Sequence, residues 1–239
     1  MRRFYVPPAN VGGSHASLSA EEARHLRDVL RLLPGSQVRI FDGEGREFLC
    51  QITSIDKKGA ELAIIEAVEP LAPESSLNLT LAPALTKGDK YDLVIQKAVE
   101  LGVTRFQPLI AARCDVKLKD TGRRMERWQK IIIEASKQCG RAALVTLEEP
   151  IPLPDLLANE TRNRIIFFSE AGGKAMPSEG NFDFLTAVVG PEGGWEPDEL
   201  ELASNAGADI VTLGGRILRA ETAAIVLTAL LQHRFGDFR

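Results

Sequence analysis

Residues 185–195 read LTAVVGPEGGW. An apolar run with the composition of a buried strand stops at Gly190-Pro191-Glu192-Gly193-Gly194. Three glycines in five residues, directly after a strand, permit a backbone that other residues resist and keep side chains away from whatever approaches. The residue types narrow what that is. Glu192 inside the turn disfavours a phosphate cradle, because a carboxylate repels phosphate oxygens. The GxGxxG fingerprint of dinucleotide binding is absent, as is the GxxxxGK[ST] phosphate loop. A neutral or cationic ligand suits the turn better.

A second loop, LGGRILRAETA at 213–223, follows the strand-like DIVTL. Gly214 and Gly215 permit an unusual backbone there. Arg216 and Arg219 flank the apolar pair Ile217-Leu218, which can sandwich an adenine while the arginines face a polyanion. S-adenosylmethionine matches these needs: backbone groups bond the adenine edge and a carboxylate tolerates the positive sulfur. A plain strand-to-helix turn with acidic residues in the first helical turn is an equal reading of GPEGG. For Glu221, helix capping stands level with catalysis. A third strand end, Ser169-Glu170 after RIIFF, completes the set. Ligands of open α/β sheets collect at the carboxyl ends of strands, where all three lie.

These loops need a scaffold, and the chain has two textures. Up to about residue 70, β-patterned runs (VRIFDG, REFLCQITSID, AELAIIEAVE) are joined by turns such as Asp42-Gly43-Glu44-Gly45. One helix interrupts them. Ser19 caps it, Glu22 holds the capping-box position, and Leu33-Pro34-Gly35 stops it. Residues 69–76, EPLAPESS, read as a linker. Beyond it strands and helices alternate: LNLTLAPAL, KYDLVIQKAVELG, TRFQPLIA, RRMERWQKIIIEASKQCG, RIIFFSE, LTAVVG, PDELELASNAG, DIVTL and AETAAIVLTALLQHRF. That alternation predicts an α/β fold with a mainly parallel sheet. The division is a small β domain at 1–70, a linker at 71–76 and the α/β domain at 77–239.

The chain has 239 residues, 44% hydrophobic and 26% charged, with net charge −4. This is the composition of a soluble globular protein, and no apolar run is long enough to span a membrane. The opening MRRFYVPPAN does not read as a secretory signal. Three dispersed cysteines and three dispersed histidines predict neither a disulfide framework nor a metal site, and fit a cytoplasmic location. Global charge announces no polyanion partner, but residues 113–141 are locally basic, with Arg113, Lys117, Arg123, Arg124 and Arg141 among them. Such a patch collects phosphates or forms a solvated helix face, and charge alone favours the second. Trp128 reads as core before it reads as a base-stacking platform.

The motifs in order (RRFYV, HLRDVLRLLPGSQVRIFDGEG, IQKAVELGV, RWQKIIIEASKQCGR, GPEGGW and LGGRILRAETAA) resemble the bacterial ribosomal RNA small subunit methyltransferase E family, from residue 2 to about 236. GPEGG alone recurs in other RNA methyltransferases; the combination is specific. The resemblance implies an N-terminal PUA-like β-barrel, a C-terminal SPOUT-type α/β domain with a trefoil knot, and a homodimer. It implies methylation of N3 of a uridine in 16S rRNA, in ribosome biogenesis, from S-adenosylmethionine. It assigns cofactor binding to Gly190, Pro191, Glu192, Gly193, Gly194, Leu213, Gly214, Arg216, Ile217, Leu218 and Arg219, with the glycines closing directly around the cofactor. Arg219 and Glu221 are the catalytic candidates. Arg2, Arg3, Arg27 and Arg31 join the basic segment as RNA contacts. Lys137 departs from the acidic residue expected before QCGR. A 2′-O-ribose RNA methyltransferase and a non-catalytic RNA-binding protein remain the alternatives.

Overall fold

A computed structural model describes residues 2–116, 121–160, 163–170, 172–178, 180 and 182–238. The chain forms two contact-defined units. The first comprises Met1–Glu74 and Ile133–Leu144, the second Ser75–Ile132 and Val145–Arg239. The division is therefore not contiguous, because residues 133–144 return to the first unit.

The first unit holds β1 (Arg3–Tyr5), β2 (Val11–Gly12), β3 (His15–Leu18), α1 (Ala20–Arg24), β4 (Gln37–Phe41), β5 (Glu47–Ile55) and β6 (Ala60–Val68). They form one six-stranded sheet in the order β1-β4-β5-β6-β3-β2, with β1 parallel to β4 and the other pairs antiparallel. Alternate residues point inward, so Phe4, Leu18, Val38, Ile40, Ile52 and Leu62 make a core that Leu26 closes. Ser19 caps α1, its Oγ accepting the Glu22 N–H at 3.3 Å. The helix continues as a π-helical turn over His25–Val29 and ends at Arg31, in the left-handed region at φ 53°. The hairpin between β4 and β5 is held by Asp42, whose carboxylate accepts the N–H groups of Glu44 (2.8 Å) and Arg46 (3.1 Å).

The second unit runs β7 (Asn78–Pro83), α2 (Asp89–Glu100), β8 (Arg105–Phe106), β9 (Leu109–Ile110), the start of α3 (Thr121–Cys139, which from Ile133 on belongs to the first unit), β10 (Thr146–Leu147), β11 (Ile151–Pro152), α4 (Leu153–Asn159), β12 (Arg164–Phe168), β13 (Phe184–Val189), α5 (Pro197–Asn205), β14 (Asp209–Val211) and α6 (Ala220–Phe235). Its main sheet is parallel throughout, in the order β10-β8-β7-β13-β12-β14. Strands β12 and β13 are buried along most of their length, which is why they read as continuous apolar runs rather than alternating ones. The carboxyl ends of β7, β13, β12 and β14 share one edge. The predicted strands and long helices of this half are present, except that TRFQPLIA is not one strand: it is split into β8 in the main sheet and β9, which pairs with β11. Helix α4 was not among them: Pro152 and Pro154 bracket its start and seven residues are too few for a clear period. Trp128 is core, 3% exposed and packed on Tyr91 with ring centroids 5.0 Å apart.

Candidate active site

Strand β12 lies between β13 and β14, so the three predicted strand ends stand side by side. Together with α2 they enclose a cleft of about 430 Å³. The loop after β13 supplies Gly190, Pro191, Glu192 and Gly194; the loop after β14 supplies Ile217, Leu218 and Arg219; Glu170 comes from the end of β12. The walls are mixed in the way small-molecule sites usually are, with apolar Phe168, Val189, Leu218 and Ala223 beside a few charged groups.

The turn is held in a specific way. Gly194 donates its N–H to the Pro191 carbonyl at 3.0 Å, closing a four-residue turn, and sits at φ 70°, where a side chain is strained. Trp195 then folds back under the turn. Its Nε1–H donates to the Phe168 carbonyl at 2.8 Å and its ring lies 4.4 Å from that of Phe167. A Cβ on Gly190 would come within 2.8 Å of the indole Cε2. This corrects the expectation that every glycine here faces the ligand. Gly190 makes room for Trp195. Gly193 does not line the cleft; a Cβ there would meet the Arg113 side chain at 3.1 Å, and its carbonyl accepts from Arg113 at 2.9 Å. Gly194 faces the Glu170 carboxylate.

The charges also differ from the simple picture of a bare carboxylate. Glu192 is paired with Lys90 of α2, and Lys90 itself lines the cleft. Glu170 and Arg219 make no ion pair among the described residues. Arg113 is bidentate to Glu196 at 2.8 and 3.1 Å. That bond raises the Arg113 guanidinium and lowers the Glu196 carboxyl from their ordinary values. Glu196 and Glu199 complete a capping box at the start of α5.

In the second loop, Ile217 is 82% exposed although it lines the cleft. Leu213, Gly214 and Arg216 do not line the cleft; Gly214 sits at φ 66° with open space around it, and Arg216 is exposed. They shape the loop rather than touch the cavity. Glu221 lies in the first turn of α6, between Ala220 and Ala223, which both line the cleft. Its Oε2 is buried without a hydrogen-bond partner. Ser169 is buried, and its carbonyl accepts from the Thr212 hydroxyl at 3.0 Å.

The predicted RNA contacts divide. Arg3 and Arg141 are not surface cations. The Arg3 side chain is 4% exposed, bonded to the fully buried Glu47 at 2.9 Å and to the carbonyls of Ser136 and Arg141. The Arg141 side chain is 5% exposed and paired with Glu74 at 2.6 Å. Both are internal ties of the first unit, unavailable to phosphates. Arg2, Arg27, Arg31 and Arg123 are exposed, Arg27 against Asp28, and Arg124 is half-buried. Lys117 lies outside the described residues. Lys137, where the resemblance led to the expectation of an acidic residue, is bonded to Glu22 and Glu134. Sequence reasoning missed Lys90 and gave Trp195 no role. A tryptophan directly after a glycine-rich turn was a signal for the second; nothing marked the first.

An RNA methyltransferase domain model matches residues 73–232, and an RNA methyltransferase PUA domain model matches residues 18–65. Ribosomal RNA small subunit methyltransferase E of Rickettsia conorii is 35% identical, over 97% of this chain and 94% of its own. The chain belongs to the ribosomal RNA small subunit methyltransferase E family. The Bacillus subtilis member is 30% identical, over 91% of this chain and 90% of its own. The Neisseria gonorrhoeae member, solved with S-adenosylmethionine, superposes over 100% of both chains with a TM-score of 0.91 at 36% identity. A Legionella pneumophila methyltransferase, also solved with bound S-adenosylmethionine, gives 0.90 at 34% identity over 98% of both chains. The predicted architecture, a PUA-like β domain before an α/β methyltransferase domain, agrees with these matches.

Proposed function

We propose that this chain transfers a methyl group from S-adenosylmethionine to N3 of a uridine in ribosomal RNA of the small subunit. The observation that carries the reading is the cleft, built where GPEGG after β13 meets RILRAE after β14, in a chain of this family. The residues fit the cofactor. The cavity has the volume of a ligand site, two carboxylates near its walls, and an exposed apolar side chain, Ile217, that an adenine ring would cover. Gly190, Pro191, Glu192 and Gly194 would hold it from one side, with Ile217, Leu218 and Arg219 on the other. Gly193, Leu213, Gly214 and Arg216 support those loops.

The bound cofactor supplies an electrophilic methyl carbon; the protein supplies alignment and manages one proton. Uridine N3 carries a hydrogen and attacks poorly until it leaves. Glu221 takes that proton, and Arg219, which has no ion pair among the described residues, balances the charge that develops on the base. The target base leaves its stack to reach the cleft. The exposed Arg2, Arg27, Arg31 and Arg123, with the half-buried Arg124, hold the surrounding backbone through phosphate contacts. The α/β domain carries the trefoil knot of its family. The protein acts as a homodimer, using the half-buried apolar face of α6 around Val226 and Leu230.

The test is a transfer assay with labelled S-adenosylmethionine and small subunits lacking this modification, followed by nucleoside analysis. Labelled 3-methyluridine is the expected product; label in a 2′-O-methyl nucleoside would replace the reading. In single-turnover experiments, Glu221→Gln should lower the rate without weakening cofactor binding. An unchanged rate removes Glu221 as the proton acceptor.

A further inference from the structure

A second cavity of about 280 Å³ adjoins the cleft, sharing Pro191 and Glu192 with it. It lies at the carboxyl end of β7, the strand beside β13. We propose that this cavity receives the target uracil base, and that the Thr86 hydroxyl reads its polar edge. The proposal rests on the reading of the chain as a uridine methyltransferase, and adds where the substrate sits and which residue selects it.

Thr86 carries the argument. It lines this cavity and not the cofactor cleft, and it is 8% exposed. Its Oγ1 is buried and bonds to nothing among the described residues. A buried hydroxyl without a partner costs stability, and such atoms are few in folded proteins. Thr86 is also firmly placed. The Ala84 N–H donates to the Val189 carbonyl at 2.8 Å and the Leu85 N–H to the Leu109 carbonyl at 2.9 Å. These bonds fix the backbone beside Thr86 at the cavity wall, and the buried hydroxyl has both its donor and its acceptor capacity unused.

The charges select a neutral base over a phosphate. Lys87 is already paired with Asp115 at 2.8 Å, and Arg113 with Glu196. Asp115 and Glu192 line the cavity with these two cations, so its charge is balanced. A phosphodiester would bring a negative charge toward two carboxylates and no free cation. A uracil brings two carbonyl acceptors and one N–H donor, which a hydroxyl can answer in either sense. The shared wall at Pro191 and Glu192 sets the base against the neighbouring cleft.

Thr86→Val tests this, because it keeps the shape and removes only the hydroxyl. The expected result is a single-turnover transfer rate lower by about tenfold at subsaturating RNA. S-adenosylmethionine affinity by calorimetry should be unchanged, and the melting temperature equal or higher, since an unsatisfied buried group has gone. Thr86→Ser should restore the rate. A lower melting temperature in Thr86→Val, or a rate equal to wild type, overturns the proposal. A direct readout uses small subunits reconstituted with 4-thiouridine and irradiated with the wild-type protein and S-adenosylhomocysteine. The nucleotide that the protein methylates should crosslink to a peptide containing Thr86 or Asp115-Val116. A crosslink from that nucleotide to another part of the chain rejects the cavity. If the wild-type protein methylates no uridine in any RNA, the functional reading fails, and the proposal with it.

Discussion

Gly190, Gly193 and Gly194 lie within five residues, yet adding one methyl group to each should have three different results. In Gly190→Ala the new Cβ would stand 2.8 Å from the Trp195 indole, about 0.6 Å inside ordinary contact. The indole cannot simply turn away. It donates to the Phe168 carbonyl at 2.8 Å and packs on Phe167 at 4.4 Å. Relieving the clash loses a hydrogen bond of about 1 kcal/mol and an aromatic contact of about 1 kcal/mol. The sum of about 2 kcal/mol agrees with the roughly 1–3 kcal/mol range for overpacking a well-filled site. For a chain of this length it lowers Tm by about 4–8 °C. Trp195 and Gly190 both line the cleft, so S-adenosylmethionine affinity should fall at least about tenfold. In Gly193→Ala the Cβ meets Arg113 alone, at 3.1 Å from its Cβ and 3.6 Å from its carbonyl oxygen, and the backbone is not left-handed. Stability should change by less than about 0.5 kcal/mol, and affinity by no more than about twofold. Gly194→Ala falls between, since φ 70° costs about 1 kcal/mol and the Cβ touches Glu170. Urea unfolding and calorimetry of the three variants decide the matter. Equal damage at 190 and 193, or an unaltered Gly190→Ala, would refute the assignment of each glycine to its own protein neighbour.

Three further outcomes follow from individual residues. Ile217→Ala should leave Tm unchanged, because the side chain is 82% exposed in the free protein; it should weaken cofactor binding roughly fivefold to tenfold, read by calorimetry. Arg3→Met strands the fully buried Glu47 with only Arg39 beside it; it should cost about 3 kcal/mol in unfolding experiments while leaving the salt dependence of RNA binding as in wild type. Bonds to Glu134 and Glu22 outweigh burial and hold Lys137 above its ordinary 10.5. Being raised, its contribution is complete below pH 10.5 and fades as pH rises through the folded value, so the stability gap between wild type and Lys137→Met should be flat near neutrality and narrow only above that pH.

The parts of this molecule that were legible in the sequence are those that depend on neighbours a few residues away. The parallel sheet was visible because β12 and β13, buried on both faces, contain almost nothing but apolar residues. The strand ends were visible because glycines follow them. What stands opposite a residue was not visible. Arg3 and Arg123 are alike as letters, but Glu47 comes from 44 residues away to bury the first, and nothing buries the second. Glu192 read as a free carboxylate because its partner, Lys90, lies 102 residues earlier on α2. The glycines of GPEGG show the same limit most clearly. Their spacing declared that side chains are excluded, and a ligand was the obvious cause. Two of the three exclusions are made by Trp195 and Arg113, one just beyond the turn and one 80 residues before it. A glycine motif at a strand end therefore locates a site without saying that each glycine touches the ligand. The wall must be packed on its protein side before it can be shaped on the other, and in this chain Gly190 and Trp195 do the packing.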